Sequence, residues 1–192
     1  SQLFFRASGA VGEYSAFFLA IGGLYLVLRR RISWHIPFSM LAIFAAFVFI
    51  FAGYDISFSL GGVLLGAIFM ATDMPSSPST NYGKCFYGAM LGFVAILFII
   101  NGVKFEYMSY SILLMNAFAS AINWAFRPRS WGKSIDILKR SYQALSIMVA
   151  ILITTFAIIY LHQVEAIEYL LYIYILWSIG YYIVVDVKTN RK

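Results

Sequence analysis

Long apolar runs alternate with short polar stretches along the chain and divide it into about seven hydrophobic segments. A spanning helix needs about 20 mostly apolar residues to cross a hydrocarbon core of about 30 Å. The strands of a transmembrane barrel would carry a polar residue at every second position, whereas these runs are unbroken, so the pattern predicts helices. Five runs are long enough for full spans: 34–54, 85–103, 105–126, 142–161 and 169–185.

Two shorter runs, 14–28 and 56–71, contain no Asp, Glu, Lys or Arg. We expect each of them to tilt or to stop part-way across the membrane. The second is rich in glycine and is followed by polar turn residues. The predicted fold is therefore an all-α integral membrane protein with about six full transmembrane helices and one short broken or re-entrant helix.

The composition excludes a water-soluble globular domain. Hydrophobic residues make up 62% of the chain and charged residues 11%, and the mean hydropathy is +0.83. A soluble domain carries about 25% charged residues. Because so few polar groups cannot cover the surface, the lipid bilayer is the first expected partner.

The distribution of basic residues predicts the orientation. Seven crossings place every Lys and Arg except Arg6 and Lys104 on one side of the membrane. Because basic loops stay in the cytoplasm, we expect a multi-pass protein of the bacterial inner membrane with a cytoplasmic C-terminus. This asymmetry also accounts for the net charge of +6, so we expect no nucleic-acid partner.

The sequence lacks the motifs of side-chain chemistry. A single cysteine, Cys85, excludes an internal disulfide and a cysteine-rich metal site. The two histidines, His35 and His162, are expected near opposite membrane faces. We therefore predict no metal site and no catalytic residues in this chain.

Residues 53–88 interrupt the apolar pattern with glycine, proline and polar residues. In transporters, such broken segments mark the ion or substrate site. Thr72 and Asp73 would then end a half-helix, where the helix dipole and the carboxylate both favour a cation. Two alternatives stay open: residues 73–81 form an ordinary cytoplasmic turn, or the spacing of Gly62 and Gly66 serves helix packing alone.

An ordered series of short motifs resembles a known family. The series resembles the second half of the family that joins the NqrB subunit of the sodium-translocating NADH:quinone oxidoreductase with the RnfD subunit of the Rnf electron-transport complex. It covers about residues 5–125. Its motifs include Gly12-Glu13-Tyr14-Ser15, Ile32-Ser33-Trp34-His35, Gly61-Gly62, Phe69-Met70-Ala71-Thr72-Asp73, Thr80-Asn81-Tyr82-Gly83 and Ile112-Leu113-Leu114-Met115-Asn116.

The resemblance implies a membrane subunit, or a C-terminal fragment of one, of an ion-translocating, flavin-dependent electron-transport complex. Such a subunit would be non-catalytic and would help to form the ion pathway and the scaffold for its redox partners, with Na+ or H+ as the ion. Its fold would resemble one half of a urea-transporter-like inverted repeat. The expected parts are a half-domain at 1–126, a basic cytoplasmic loop at 127–140 and a two-helix extension at 141–192.

The resemblance also implies which residues matter. FMN or riboflavin is implied for the family, which attaches FMN to the Thr of an Asp-x-x-Ser-Gly-Ala-Thr motif. This motif is absent and Thr72 follows Met-Ala, so we expect no covalent flavin on this chain. The expected ion-path or broken-helix residues are Gly61, Gly62, Gly66, Phe69, Thr72 and Asp73, with support from Glu13, Ser77, Asn81 and Asn116.

Two other function classes compete with an electron-transport subunit. A channel or carrier for a small solute would need a closed pore, and a vitamin-uptake membrane component also packs about six helices into a chain of this size. A fold alone does not choose between such functions. We favour the electron-transport subunit because the vitamin-uptake class lacks the motif series.

The seven-crossing topology predicts that positions 190 and 103 lie on opposite sides of the membrane. A cysteine introduced at position 190 should react with a membrane-impermeant thiol reagent only from the cytoplasm, and one at position 103 only from outside. Labelling of intact cells and of inverted vesicles measures this. Reaction of both positions from the same side would contradict the topology.

Overall fold

A computed structural model describes residues 16–51, 58–103, 106–128 and 137–189, without the side chains of residues 168 and 183–189. The regular structure in these ranges is helical, as predicted, and each helix coincides with one apolar run to within a few residues. In chain order the elements are α1 (Ala16–Leu28), α2 (His35–Ile50), α3 (Leu60–Leu65), a π-helical segment (Gly66–Met70), α4 (Asn81–Ile100), α5 (Tyr107–Ala125), α6 (Ile137–Gln163) and α7 (Ala166–Thr189).

Two of the described helices, α4 and α6, are long and apolar enough to cross a membrane, which fits a membrane protein. Helices α1 and α2 are apolar but shorter. The six residues of α3 and the five of the π segment together reach roughly 16 Å at about 1.5 Å per residue, about half of a hydrocarbon core. The count of about six full spans and the inverted half-fold stay predictions.

The chain forms two compact units, residues 1–155 and 156–192. The first contains α1 to α5 and most of α6, and the second contains the end of α6 and all of α7. On α7, the exposed rings of Tyr174, Trp177 and Tyr181 form a row with centroid separations of 6.3 and 5.7 Å. The predicted boundaries at residues 126 and 140 stay predictions.

Helix α4 forms the centre of the first unit because it packs against both α2 and α5. Its side chains Tyr87, Leu91, Val94 and Phe98 have no measurable exposure. A row on α2 faces this core, consisting of Ile36, Met40 and Phe44. The most extensive helix contact in the described residues is that between α2 and α4.

Two glycines allow the backbones of α2 and α4 to approach closely. A Cβ atom added at Gly92 would lie 2.6 Å from the carbonyl oxygen of Met40 and 3.3 Å from the amide nitrogen of Phe44. One added at Gly88 would lie 2.6 Å from the carbonyl oxygen of Ile36 and would overlap Ser39 Oγ. Backbone atoms cannot move aside as a flexible side chain can, so any larger residue would separate the helices.

Hydrogen bonds cap both ends of α4. At the start, the Thr80 hydroxyl accepts a hydrogen bond from the Gly83 amide at 3.2 Å. At the end, Gly102 adopts a φ of +90°, a left-handed conformation that glycine tolerates without strain. This conformation directs the amides of Gly102 and Val103 to the carbonyl oxygens of Ile99 and Phe98 at 3.1 Å each.

The α2–α4 contact predicts a cost for replacing Gly92. Gly92→Ala should lower the free energy of unfolding by about 1–3 kcal/mol, because the new methyl group meets the α2 backbone. Gly180→Ala is the matched control, since a Cβ there meets nothing within 4 Å. Thermal unfolding of the full chain in detergent measures both variants, and equal stability of the two would contradict the close approach.

Candidate functional site

The candidate site is the broken helix formed by α3 and the π segment, together with the turn that follows it. This element packs against α1, α2 and α5. Ser59 starts it, since its hydroxyl accepts a hydrogen bond from the Gly62 amide at 3.2 Å. At the other end, the Ala71 amide donates to the carbonyl oxygen of Gly66 at 2.8 Å. That bond spans five residues instead of four, which is the geometry of a π-helix.

The glycines of the broken helix lie against neighbouring helices. Gly61, Gly62 and Gly66 are all buried. A Cβ at Gly66 would overlap the terminal methyl group of Met108 on α5. A glycine of α1 also contacts the broken helix: a Cβ added at Gly23 would lie 2.7 Å from the side chain of Ile68 in the π segment. Gly66 and Gly23 therefore allow the broken helix to lie close to α5 and α1, and at both glycines the nearest atom belongs to a side chain.

Asp73 lies in the turn after the broken helix, and its side chain is exposed on the surface of the protein. Its carboxylate accepts a hydrogen bond from the Ser76 hydroxyl at 3.2 Å. Its carbonyl oxygen accepts another from the Ser77 amide at 3.0 Å. Both bonds are typical of a polar turn, which was one of the two interpretations of residues 73–81. They leave the second oxygen of the Asp73 carboxylate available to a cation.

Thr72 is directed back into its own helix. Its side chain is 8% exposed, and its hydroxyl donates to the Ile68 carbonyl oxygen at 2.5 Å. The bond satisfies a carbonyl group near the C-terminal end of the π segment. The hydroxyl is therefore buried and already engaged in a hydrogen bond.

Phe69 is the exposed aromatic residue of the π segment, with 41% of its surface accessible. Its ring passes close to α1, where a Cβ at Gly22 would lie 3.6 Å from the tip of the ring. Phe69 is thus partly covered by α1 and partly accessible. Phe69 therefore lies at the edge of the packed core and not inside it.

The predicted supporting residues have different positions. Asn116 on α5 accepts a hydrogen bond from the Tyr87 hydroxyl at 2.6 Å, and so joins α5 to α4 inside the helix packing. Asn81 is the exposed first residue of α4, and Ser77 is a half-buried part of the turn. Glu13 lies outside the described residues. Of these residues, Ser77 lies next to Asp73 because its amide bonds to the Asp73 carbonyl oxygen, whereas Asn116 links α5 to α4.

Sequence reasoning missed the residue that holds the turn in place. Asn123, near the end of α5, accepts hydrogen bonds through Oδ1 from the Ser79 amide at 2.8 Å and from the Ser79 hydroxyl at 3.1 Å. This ties the stretch between the broken helix and α4 to α5. In the sequence, Asn123 stood out only as a polar residue near the end of an apolar helix. That pattern did not indicate that its partner would be Ser79, 44 residues away.

The electrostatics of this arrangement favour a positively charged group near Asp73. The C-terminal end of a helix carries partial negative charge, and a carboxylate follows it three residues beyond the π segment. In the residues that the structure describes, no group of three or more His, Cys, Asp and Glu side chains is arranged to hold a metal ion. Any cation would therefore be held by the carboxylate and by backbone or water oxygens.

Comparison with known proteins connects these features to one family. The model of the NQR2, RnfD, RnfE family matches residues 1–132. A subunit of the Na(+)-translocating ferredoxin:NAD(+) oxidoreductase complex from Acetobacterium woodii is 42% identical, over 65% of this chain and 39% of the relative.

Two further relatives come from other bacteria. A subunit of an ion-translocating oxidoreductase complex from Halorhodospira halophila is 37% identical, over 67% of this chain and 38% of the relative. A subunit of the Na(+)-translocating NADH-quinone reductase from Neisseria meningitidis is 35% identical, over 62% of this chain and 32% of the relative. The chain thus spans less than two fifths of the length of these relatives.

The buried hydroxyl of Thr72 predicts no covalent FMN at this residue, and the absence of an Asp-x-x-Ser-Gly-Ala-Thr motif predicts none elsewhere on the chain. After expression with a flavin-transferring enzyme, mass spectrometry of the intact protein should show the unmodified mass. A relative that contains the Asp-x-x-Ser-Gly-Ala-Thr motif, expressed in the same cells, is the positive control. An FMN adduct on a peptide containing Thr72 would contradict the prediction.

Proposed function

The chain belongs to the NQR2, RnfD, RnfE family, and we propose on that basis that it is a membrane subunit, or the C-terminal part of one, of an ion-translocating electron-transport complex. The similar proteins named above are subunits of ion-translocating oxidoreductase complexes. The proposed partners are the lipid bilayer, the other subunits of such a complex, and Na+ or H+. The proposed location is the bacterial inner membrane, with the C-terminus in the cytoplasm.

One observation carries the proposed part in ion movement: the broken helix is too short to cross the hydrocarbon core. Its roughly 16 Å would end at membrane depth, where polar backbone is tolerated only next to protein or a water-filled path. Transporters place such half-helices at their ion sites. We propose that the end of the π segment forms one wall of the ion path.

Within that path, Phe69 and Asp73 would have different tasks. Asp73 supplies a formal negative charge beside the partially negative helix end, and the two together favour a cation. The half-covered ring of Phe69 would narrow the path and limit the entry of water. The glycines Gly61, Gly62 and Gly66 would keep the element close to α1 and α5, so that both side chains are held in position.

Electron transfer itself would be left to flavins and partner subunits. In this proposal the chain would act as ion path and scaffold. FMN or riboflavin belongs to the complex in this proposal, and covalent attachment to Thr72 does not fit. A small-solute carrier is the competing function, and it would show transport without any electron flow.

Asp73→Asn tests the ion-path role. The amide keeps the size of the side chain and still accepts the Ser76 hydrogen bond, so assembly of the complex should be unchanged. Loss of the charge should lower ion-coupled electron transport by about tenfold, the equivalent of about 1.4 kcal/mol of lost cation stabilisation. The measurement is ion uptake together with the oxidoreductase rate of the assembled complex in inverted vesicles.

Ser76→Ala is the matched control for the turn. It removes the hydrogen bond to the Asp73 carboxylate and keeps the charge, so ion transport should stay within about twofold of the parent, as expected of an exposed turn bond worth a few tenths of a kcal/mol. If Ser76→Ala lost as much transport as Asp73→Asn, Asp73 would act through the turn. Parental rates in Asp73→Asn would rule out the ion-path role.

A further inference from the structure

A polar contact lies in the middle of the packing between α4 and α5. The Tyr87 hydroxyl on α4 donates to Asn116 Oδ1 on α5 at 2.6 Å. Asn116 is the tenth of the 19 residues of α5, so it lies halfway along a helix that the topology predicts to cross the membrane. Polar side chains at that depth are costly, and they often mark a substrate or ion pathway.

This contact lies close to Asp73. The charge of Asp73 acts on the Tyr87 hydroxyl through the protein, and such an interaction weakens with distance. Asp73 is exposed in the turn after the broken helix, whereas Tyr87 has no measurable exposure. The Tyr87–Asn116 contact is therefore on the inner side of the turn, within the field of its carboxylate.

A second asparagine of α5 connects the contact with that turn. Asn116 and Asn123 are seven residues apart, so they lie on the same face of α5, roughly 10 Å apart along its axis. Asn123 bonds to Ser79 in the stretch that follows Asp73, and Asn116 bonds to Tyr87 at greater depth. Both asparagines are half-buried. Polar groups thus continue from the turn to the middle of α5.

Both oxygens of the contact keep the capacity to bind a cation. A phenolic hydroxyl that donates its proton retains acceptor capacity on its oxygen, and a carboxamide oxygen has two lone pairs, of which the hydrogen bond uses one. Neutral oxygens of this kind replace the hydration shell of an ion in selective pores. Because neither group is charged, an ion bound there would also leave again, as conduction requires.

We propose that Tyr87 and Asn116 form an inner step of the ion path that begins at Asp73. This rests on the proposed function, since it takes the cation at Asp73 as its starting point. The ion would pass from the carboxylate along the Asn123 face of α5 to the two neutral oxygens, with water completing its shell. Access is from the side of half-buried Asn116, while the enclosed ring of Tyr87 fixes the position of its hydroxyl.

The competing explanation is that the hydrogen bond serves helix packing alone. Hydrogen bonds between membrane helices contribute little to stability, because the unpacked helices also find partners. Packing and ion binding make different predictions. A packing contact affects assembly and the maximal rate, whereas an ion ligand affects the ion concentration at which transport is half-maximal.

Tyr87→Phe in the assembled complex, measured in inverted vesicles, tests the inner step. It removes the hydroxyl and keeps the ring in the packing. The Na+ concentration for half-maximal ion-coupled electron transport should rise roughly fivefold, as expected for the loss of one polar ligand, while the maximal rate stays within about twofold. Where the parent rate does not depend on Na+, the same titration is made with H+ by varying pH.

Two further variants protect this test against a folding defect. Asn116→Ala removes the other oxygen of the pair and should shift the half-saturating concentration in the same direction. Thr155→Val is the matched control, since it removes another fully buried hydroxyl, which bonds to the Ile151 carbonyl oxygen of its own helix at 2.7 Å. This control should leave the ion dependence unchanged.

The double variant Asp73→Asn/Tyr87→Phe asks whether both residues act on one ion. Its shift in half-saturating concentration should be smaller than the product of the two single shifts, because residues that share a ligand are coupled. Shifts that multiply independently would overturn the inner step. So would a Tyr87→Phe complex with the parental ion dependence, or one shifted no further than Thr155→Val.

Failure of the proposed function gives a different result. In that case Asp73→Asn transports ions and electrons at the parental rate, whatever Tyr87→Phe does. If Asp73→Asn lowers transport while Tyr87→Phe and Asn116→Ala keep the parental half-saturating concentration, the path at Asp73 stands and only the inner step is overturned.

Discussion

The close approach of α2 and α4 at Gly88 and Gly92 is the contact on which the rest of the first unit depends. In an apolar solvent, helices gain little from burying leucine against leucine, since lipid tails are equally apolar. Dispersion contacts and fit between backbones must supply the attraction instead. The missing Cβ atoms at these two positions permit that fit, and α4 then presents its opposite side to α5.

The broken helix solves a second problem, which is the placement of polar backbone inside an apolar structure. Hydrogen bonds near both of its ends satisfy part of this backbone. Ser59 accepts from an amide at the start, and the Thr72 hydroxyl donates to a carbonyl group near the end. The wider π turn between Gly66 and Ala71 keeps the chain hydrogen-bonded while the helix comes to its end.

The position of Asp73 follows from these constraints. The broken helix ends near it, Asn123 on α5 holds the following stretch through Ser79, and Thr80 starts α4. An acidic residue is therefore presented at a fixed place beside a helix end. The turn and the proposed ion path are compatible, because the Ser76 hydrogen bond orients the carboxylate and leaves its charge in place. The chain belongs to the NQR2, RnfD, RnfE family, and the relatives that it matches over less than two fifths of their length are subunits of ion-translocating complexes.

The sequence by itself determined the helices and the place where they are interrupted. Apolar runs of sufficient length must be helical in lipid, and Pro75 lies in the polar turn that follows the broken helix. Gly61 and Gly62, which the sequence also suggested as an interruption, lie inside α3. The four-residue spacing of Gly88 and Gly92 indicated close packing, but the partner helix was decided by the tertiary structure. The same holds for the π geometry, the inward hydroxyl of Thr72 and the contact of Ser79 with Asn123. These features depend on local backbone geometry or on contacts between residues far apart in the chain. The periodicity of apolar residues along the sequence contains no information about either.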